Sequence, residues 1–104
     1  MDTVASLEAE GLLVFEAANA AEAIRCLEAH KEISVIFTDV HMAGSMDGLA
    51  LAHYVHGRWP PVRIIVTSGY TKVRDEGLPE DAVFMEKPYF VRKVADKMNE
   101  LMAV

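Results

Sequence analysis

The 104-residue chain predicts an α/β fold, a parallel sheet covered by helices on both faces. Three observations predict it. Compact apolar runs alternate along the chain with stretches whose apolar residues recur at helical spacing. The runs are continuous rather than alternately apolar and polar, as in strands buried on both faces. They end in polar residues, which suits an open parallel sheet whose chemistry lies beyond the carboxyl ends of its strands.

Each element has a local reason. Residues 2–10 are expected to be helical, with Val4 and Leu7 three apart and Gly11 as the C-terminal stop. Residues 12–15, Leu-Leu-Val-Phe, read as a compact strand. Asn19 caps the next helix, with Glu22 in capping-box position. Ala20, Ala23, Ile24 and Leu27 mark its inner face, to about His30. Residues 33–38 form a strand ending at Asp39. Asp47 caps a helix with Leu49, Ala52 and Val55 inward. Gly57 and Pro60-Pro61 end it, since proline disfavours helix at the residue before it. Residues 62–66 are the next strand, closed by Thr67-Ser68-Gly69. Residues 70–81 leave room for one or two turns of helix at most. Residues 82–86 are the last strand, and Lys87-Pro88-Tyr89 follows. Val91, Val94, Ala95, Met98, Leu101 and Met102 then form a helical stripe.

The composition narrows the function. The chain is 52% hydrophobic, enough for a core, and its length fits a single domain over residues 1–104. A formal net charge of −6 disfavours a direct nucleic-acid partner. The single cysteine, Cys26, excludes an internal disulfide and fits a reducing compartment; inside a helix it reads as packing. No apolar run reaches the ~20 residues of a membrane span, and no signal peptide is present, so the expected location is cytoplasmic.

Asp39, Thr67 with Ser68, and Lys87 fall at the ends of three successive strands. Right-handed βα units bring all three to one sheet edge. Together they suit phosphoryl chemistry. A carboxylate accepts the phosphoryl group, a hydroxyl hydrogen-bonds its oxygens, and a lysine neutralises its charge. Alone, each has a plainer account: a turn cap, a strand residue, a solvated cation. His53 and His56, three apart on a helix, lack an acidic or cysteine partner at metal-binding spacing and read as a solvated face. His41 falls beside the site. Tyr54 and Trp59 are expected to cover the sheet edge.

With these residues in place, the sequence resembles the receiver domains of two-component response regulators, from about residue 4 to residue 102. The resemblance rests on Thr38-Asp39-Val40-His41-Met42, Gly44, Asp47-Gly48, Val66-Thr67-Ser68-Gly69 and Phe84-Met85-Glu86-Lys87-Pro88. It implies a CheY-like, flavodoxin-like doubly wound parallel sheet. It implies Asp39 as phosphoacceptor, Thr67 as the switch hydroxyl, Lys87 as its cationic partner and Phe84 as the switch aromatic. Lys87-Pro88 resembles the family's cis peptide, which an X-Pro bond makes accessible. The Met42 backbone carbonyl and Asp39 would face a Mg²⁺ ion. The implied partners are a histidine kinase or phosphotransfer protein and a downstream protein target; the charge and the short apolar runs add the expectation of no direct nucleic-acid partner and no membrane.

The departures are specific. The family's first strand, whose end carries two acidic Mg²⁺ ligands, has no counterpart, so about four strands are expected. Met1 falls where the middle of the family's first helix should be. The metal site would keep only Asp39, the Met42 carbonyl and waters, so Mg²⁺ binding is expected to be weak or absent. The missing strand would lie between those containing Val14 and Val35. Three outcomes are open: the chain is a fragment, the strand at 12–15 slides across to pair, or a partner fills the gap, as in a homodimer or strand-swapped oligomer. Ala43 stands at the family's usual proline. The functional expectation is a phosphoacceptor receiver rather than an enzyme. The alternatives are a receiver-like binding module impaired in phosphorylation, and a haloacid-dehalogenase-like phosphatase. The latter needs a second aspartate where His41 stands.

Overall fold

The fold, taken from a computed structural model, is described for residues 3–40, 47–69 and 77–102. Its elements run α1 (Thr3–Ala9), α2 (Ala20–Ala29), β1 (Val35–Asp39), α3 (Gly48–Arg58), β2 (Arg63–Ser68), β3 (Val83–Glu86) and α4 (Val91–Met102). The strands form a parallel sheet in the order β1-β2-β3. The fold class is the expected one.

The helix ends follow the sequence signals. Gly11, at φ 91°, closes α1 in the left-handed region where glycine carries no Cβ penalty. The Asn19 side chain accepts from the Glu22 N–H at 2.9 Å, while the Glu22 carboxylate accepts from the Ala18 N–H at 2.9 Å. Donors left unpaired by the first turn of α2 are thereby satisfied. Asp47 caps α3 through the Ala50 N–H at 2.8 Å. Arg58 ties α3 to α2 through Glu28 at 3.2 Å, donates to the Tyr54 hydroxyl at 3.0 Å, and lies over the Trp59 ring. The Tyr54 hydrogen bond, ahead of the Glu28 charge, raises the guanidinium above its ordinary value.

Helices cover both faces. On one side, Ala20 and Leu27 of α2 and Leu51, Ala52 and Val55 of α3 pack on Ile64 and Val66. On the other, Leu7 of α1 and Val94, Ala95, Met98 and Leu101 of α4 pack on Ile65. Strand β2 is the hub, because Ile65 and Val66 are fully buried and a parallel strand between two others points side chains alternately into two cores. Leu51 is a core residue of α3, and Leu49, expected inward, is only half-buried.

One expected strand does not form. Residues 12–17 have no strand assignment, and three strands are found among the described residues where about four were expected. The side-chain alternation of a strand is present: Leu12 and Val14 are half-buried, and Leu13 and Phe15 are exposed. The hydrogen-bonded neighbour is not. A strand is defined by its ladder, and the apolar pattern alone cannot supply one. Nor has this segment slid across to pair with β1. A cleft of about 530 Å³ lies between them. Of residues 70–81, where one or two turns of helix at most were expected, 70–76 lie outside the described residues and 77–81 are not helical.

Candidate functional site

Asp39 is placed by three backbone contacts. It ends β1 opposite Thr67, and the Val40 N–H donates to the Thr67 carbonyl at 3.0 Å. The Gly48 N–H, opening α3, donates to the Val40 carbonyl at 2.8 Å. A Cβ at Gly48 would sit 1.7 Å from the Asp39 carbonyl oxygen and 2.9 Å from Thr38 Oγ1. Only glycine allows this approach. The start of α3 therefore lies directly behind the backbone of Asp39. Buried Thr38 donates its hydroxyl to the Asp39 carbonyl at 3.0 Å.

The next two strand ends complete the edge. Thr67 is 2% exposed, and its hydroxyl donates to the Met85 carbonyl at 2.7 Å. Buried Ser68 offers its carbonyl to the Lys87 N–H at 2.9 Å, extending the β2–β3 ladder past Glu86. Lys87 then turns back across the sheet, and its ammonium donates to Asp39 Oδ2. Both side chains remain partly exposed, 42% for Lys87 and 33% for Asp39. The Lys87-Pro88 peptide is cis. Tyr89 follows and meets Phe37 of β1 edge-on, with ring centroids 5.5 Å apart.

The expected residues are thus distributed in two groups. Asp39 and Lys87 form an ion pair, and Thr67 is the register partner of Asp39 with its hydroxyl directed to β3. Phe84 lies opposite Val66 and is half-buried. Met42 and His41 lie outside the described residues. His53 is exposed, and its Nε2 meets the Gly77 carbonyl, a tie that the reading of a solvated face missed. Gly48 and Tyr89 are the positioning residues that sequence reasoning left without a role. The Asp47-Gly48 pair after a strand carried a signal for the first, as a cap followed by a residue without a side chain.

Chemically, the edge offers a nucleophilic carboxylate, a neighbouring cation that can follow charge onto an added group, and a hydroxyl one strand away. Divalent-metal ligands are scarcer. No group of three or more His, Cys, Asp or Glu side chains converges among the described residues. One carboxylate, already engaged by Lys87, does not fit a Mg²⁺ ion held chiefly by the protein.

Residues 2–101 match the response regulator receiver domain family. The receiver domain of NtrX from Brucella abortus is similar with a TM-score of 0.85 and 22% identity, over 98% of this chain and 88% of that one. A CheY-like response regulator receiver domain protein from Methanospirillum hungatei JF-1 gives 0.83 and 27%, over 97% and 82%. TrrA from Thermotoga maritima, solved in complex with Mg²⁺ and BeF, gives 0.82 and 21%, over 93% and 84%. The structural likenesses show the fold, and the family match spans almost the whole chain. With Asp39 and Lys87 paired at the sheet edge, the chain belongs to the response regulator receiver domain family.

Proposed function

We propose that residues 1–104 act as a receiver domain phosphorylated on Asp39, a signalling module rather than an enzyme with its own substrate turnover. The Asp39–Lys87 pair, with Thr67 across the register, is the observation that carries this reading. A histidine kinase or phosphotransfer protein presents a phosphohistidine. An Asp39 carboxylate oxygen attacks phosphorus, the P–N bond breaks as the new P–O bond forms, and the imidazole nitrogen keeps the electron pair and takes up a proton. The Lys87 ammonium shifts from the carboxylate to the phosphoryl oxygens. The Thr67 hydroxyl exchanges the Met85 carbonyl for a phosphoryl oxygen. That exchange loosens β3 beside Phe84, which gives the aromatic side chain room to change rotamer. The altered surface around β3 and α4 then meets a protein target.

TrrA was solved in complex with Mg²⁺ and BeF, and Asp39 with the Met42 carbonyl would be the protein ligands of such an ion here. The described donor set is too poor in carboxylates for the ion to be held chiefly by the protein, and no step of the transfer passes through it. The same poverty supports a second reading, a receiver-like module that binds partners without efficient phosphorylation. Family membership leaves the phosphatase alternative without support. A cytoplasmic location is part of the proposal. No helix among the described residues is long and apolar enough to cross a membrane.

The test is intact mass after incubation with a small phosphodonor and Mg²⁺, beside Asp39→Asn. One added phosphoryl group in the parent and none in the variant supports the switch. No addition in either favours the binding module. Addition to both overturns Asp39 as acceptor.

A further inference from the structure

Lys87 reaches Asp39 from two strands away. The Lys87 N–H donates to the Ser68 carbonyl, so its main chain still runs in line with β3. Neighbouring strands stand about 4.8 Å apart and β2 lies between β3 and β1, so the pair spans about 10 Å of sheet. The lysine stem is flexible and loses rotamer freedom when it is held extended. The ion pair at its tip is partly exposed on both sides, and a solvated pair of this kind holds a side chain only weakly. The position of the ammonium therefore has to come from the main chain that carries it.

The residues that follow show what fixes that main chain. Tyr89 comes off the same strand two residues later, and its ring also ends at β1, edge-on to Phe37 at 5.5 Å between centroids. Phe37 and Asp39 are two apart on β1, and side chains alternate along a strand, so both project from one face. That is the face on which Tyr89, Ile65 and α4 pack. The segment after β3 is thus fastened twice. Ser68 of β2 holds it where the Lys87 side chain leaves, and Phe37 of β1 holds it two residues on. The second fastening lies on the strand that carries the acceptor. An edge-on aromatic pair fixes orientation as well as distance. The adjacent aromatic, Phe90, turns outward and is 74% exposed, so the pin is Tyr89.

We propose that Tyr89 is the positioning residue of the Lys87 ammonium. Its ring on Phe37 fastens the segment after β3 to the acceptor strand, and so sets the ammonium at Asp39 before a phosphoryl group arrives. The effect on phosphoryl transfer rests on Asp39 as acceptor, and the placement of the ammonium does not.

The test uses the full chain and two readouts. The first is acetylation of the Lys87 amine by sulfosuccinimidyl acetate, followed by peptide mass and compared with exposed Lys93. An amine held on a carboxylate acylates slowly. Tyr89→Leu keeps apolar bulk and loses the ring, so it should speed acetylation of Lys87 about threefold or more and leave Lys93 unchanged. Tyr89→Phe keeps the ring and should match the parent. Phe37→Leu removes the other partner and should repeat the effect of Tyr89→Leu. The second readout is the rate of Asp39 labelling by phosphoramidate with Mg²⁺. Tyr89→Leu should slow it about tenfold, and Tyr89→Phe should not. In a Lys87→Gln background, Tyr89→Leu should slow it no further, because no ammonium remains to be placed. Unchanged acetylation of Lys87 in both leucine variants overturns the proposal. So does equal slowing of labelling with and without Lys87, which would leave Tyr89 as packing. Absence of labelling in the parent overturns Asp39 as acceptor instead, and acetylation then decides the placement by itself.

Discussion

The two sides of the sheet were built from equally apolar sequence and came out differently. Ile64, Ile65 and Val66 of β2 are 3%, 0% and 0% exposed, and their strand has a neighbour on each side. Val35, Ile36 and Phe37 of β1 are half-buried, and beyond them lies the cleft. Residues 12–15 on its far wall keep the alternation of a strand without becoming one. Apolar side chains decide which way a segment faces. Burial to the last few percent, and strand character itself, need a paired backbone. The candidate site draws on both sides, since Asp39 ends the half-open strand while Thr67 and Lys87 belong to the closed part. Its acid is therefore held by β2 and α3 rather than by the sheet as a whole.

The largest expected effect comes from the closed side. Ile65→Ala opens a cavity between β2 and α4 where nothing can collapse inward, so unfolding in urea should show a loss of about 2–5 kcal/mol. A loss under about 1 kcal/mol would mean that β2 is no more essential than its neighbours, and the contrast between the two sides fails.

Gly48→Ala tests how the two sides meet. The new Cβ must push the start of α3 away from the Asp39 carbonyl, at a cost of about 1–3 kcal/mol as overpacking. The same shift moves the acceptor relative to Lys87, so the rate of labelling by a small phosphodonor should fall further than stability does. Unchanged labelling with lowered stability would assign Gly48 to packing alone.

The sequence made these parts legible to different degrees, for physical reasons. The strand ends at Asp39, Thr67 and Lys87 were readable because a right-handed parallel sheet leaves one place for them. Asn19 and Asp47 were readable because capping is local, a side chain reaching its own helix two or three residues on. The failure at residues 12–15 was of another kind. Its apolar pattern was read correctly, but pairing is a property of whatever lies alongside, and no local signal reports a neighbour. The contact behind Asp39 was hidden for the same reason, because a glycine announces that a close approach is permitted without naming what approaches.

Those two caps sharpen the comparison at intermediate scale. Asn19→Ala and Asp47→Ala should each cost about 1 kcal/mol in thermal or urea unfolding. The caps differ in their consequences for the site. Asp47 starts the helix that backs Asp39, so its loss should also slow labelling of Asp39, whereas Asn19 starts a helix away from the site and should leave labelling unchanged. Equal effects on labelling would detach α3 from the positioning of the acid.

The smallest expected effect lies on the open side. Leu13 is 78% exposed at the wall of the cleft, so Leu13→Ala removes apolar surface that water already reaches, and stability should change by no more than about 0.5 kcal/mol. The same substitution on a paired strand facing a core would cost several times that amount. The two regions therefore differ by their neighbours and not by their residues. A cost of about 2 kcal/mol or more would show that residues 12–15 are packed against something in solution and that the cleft is not open.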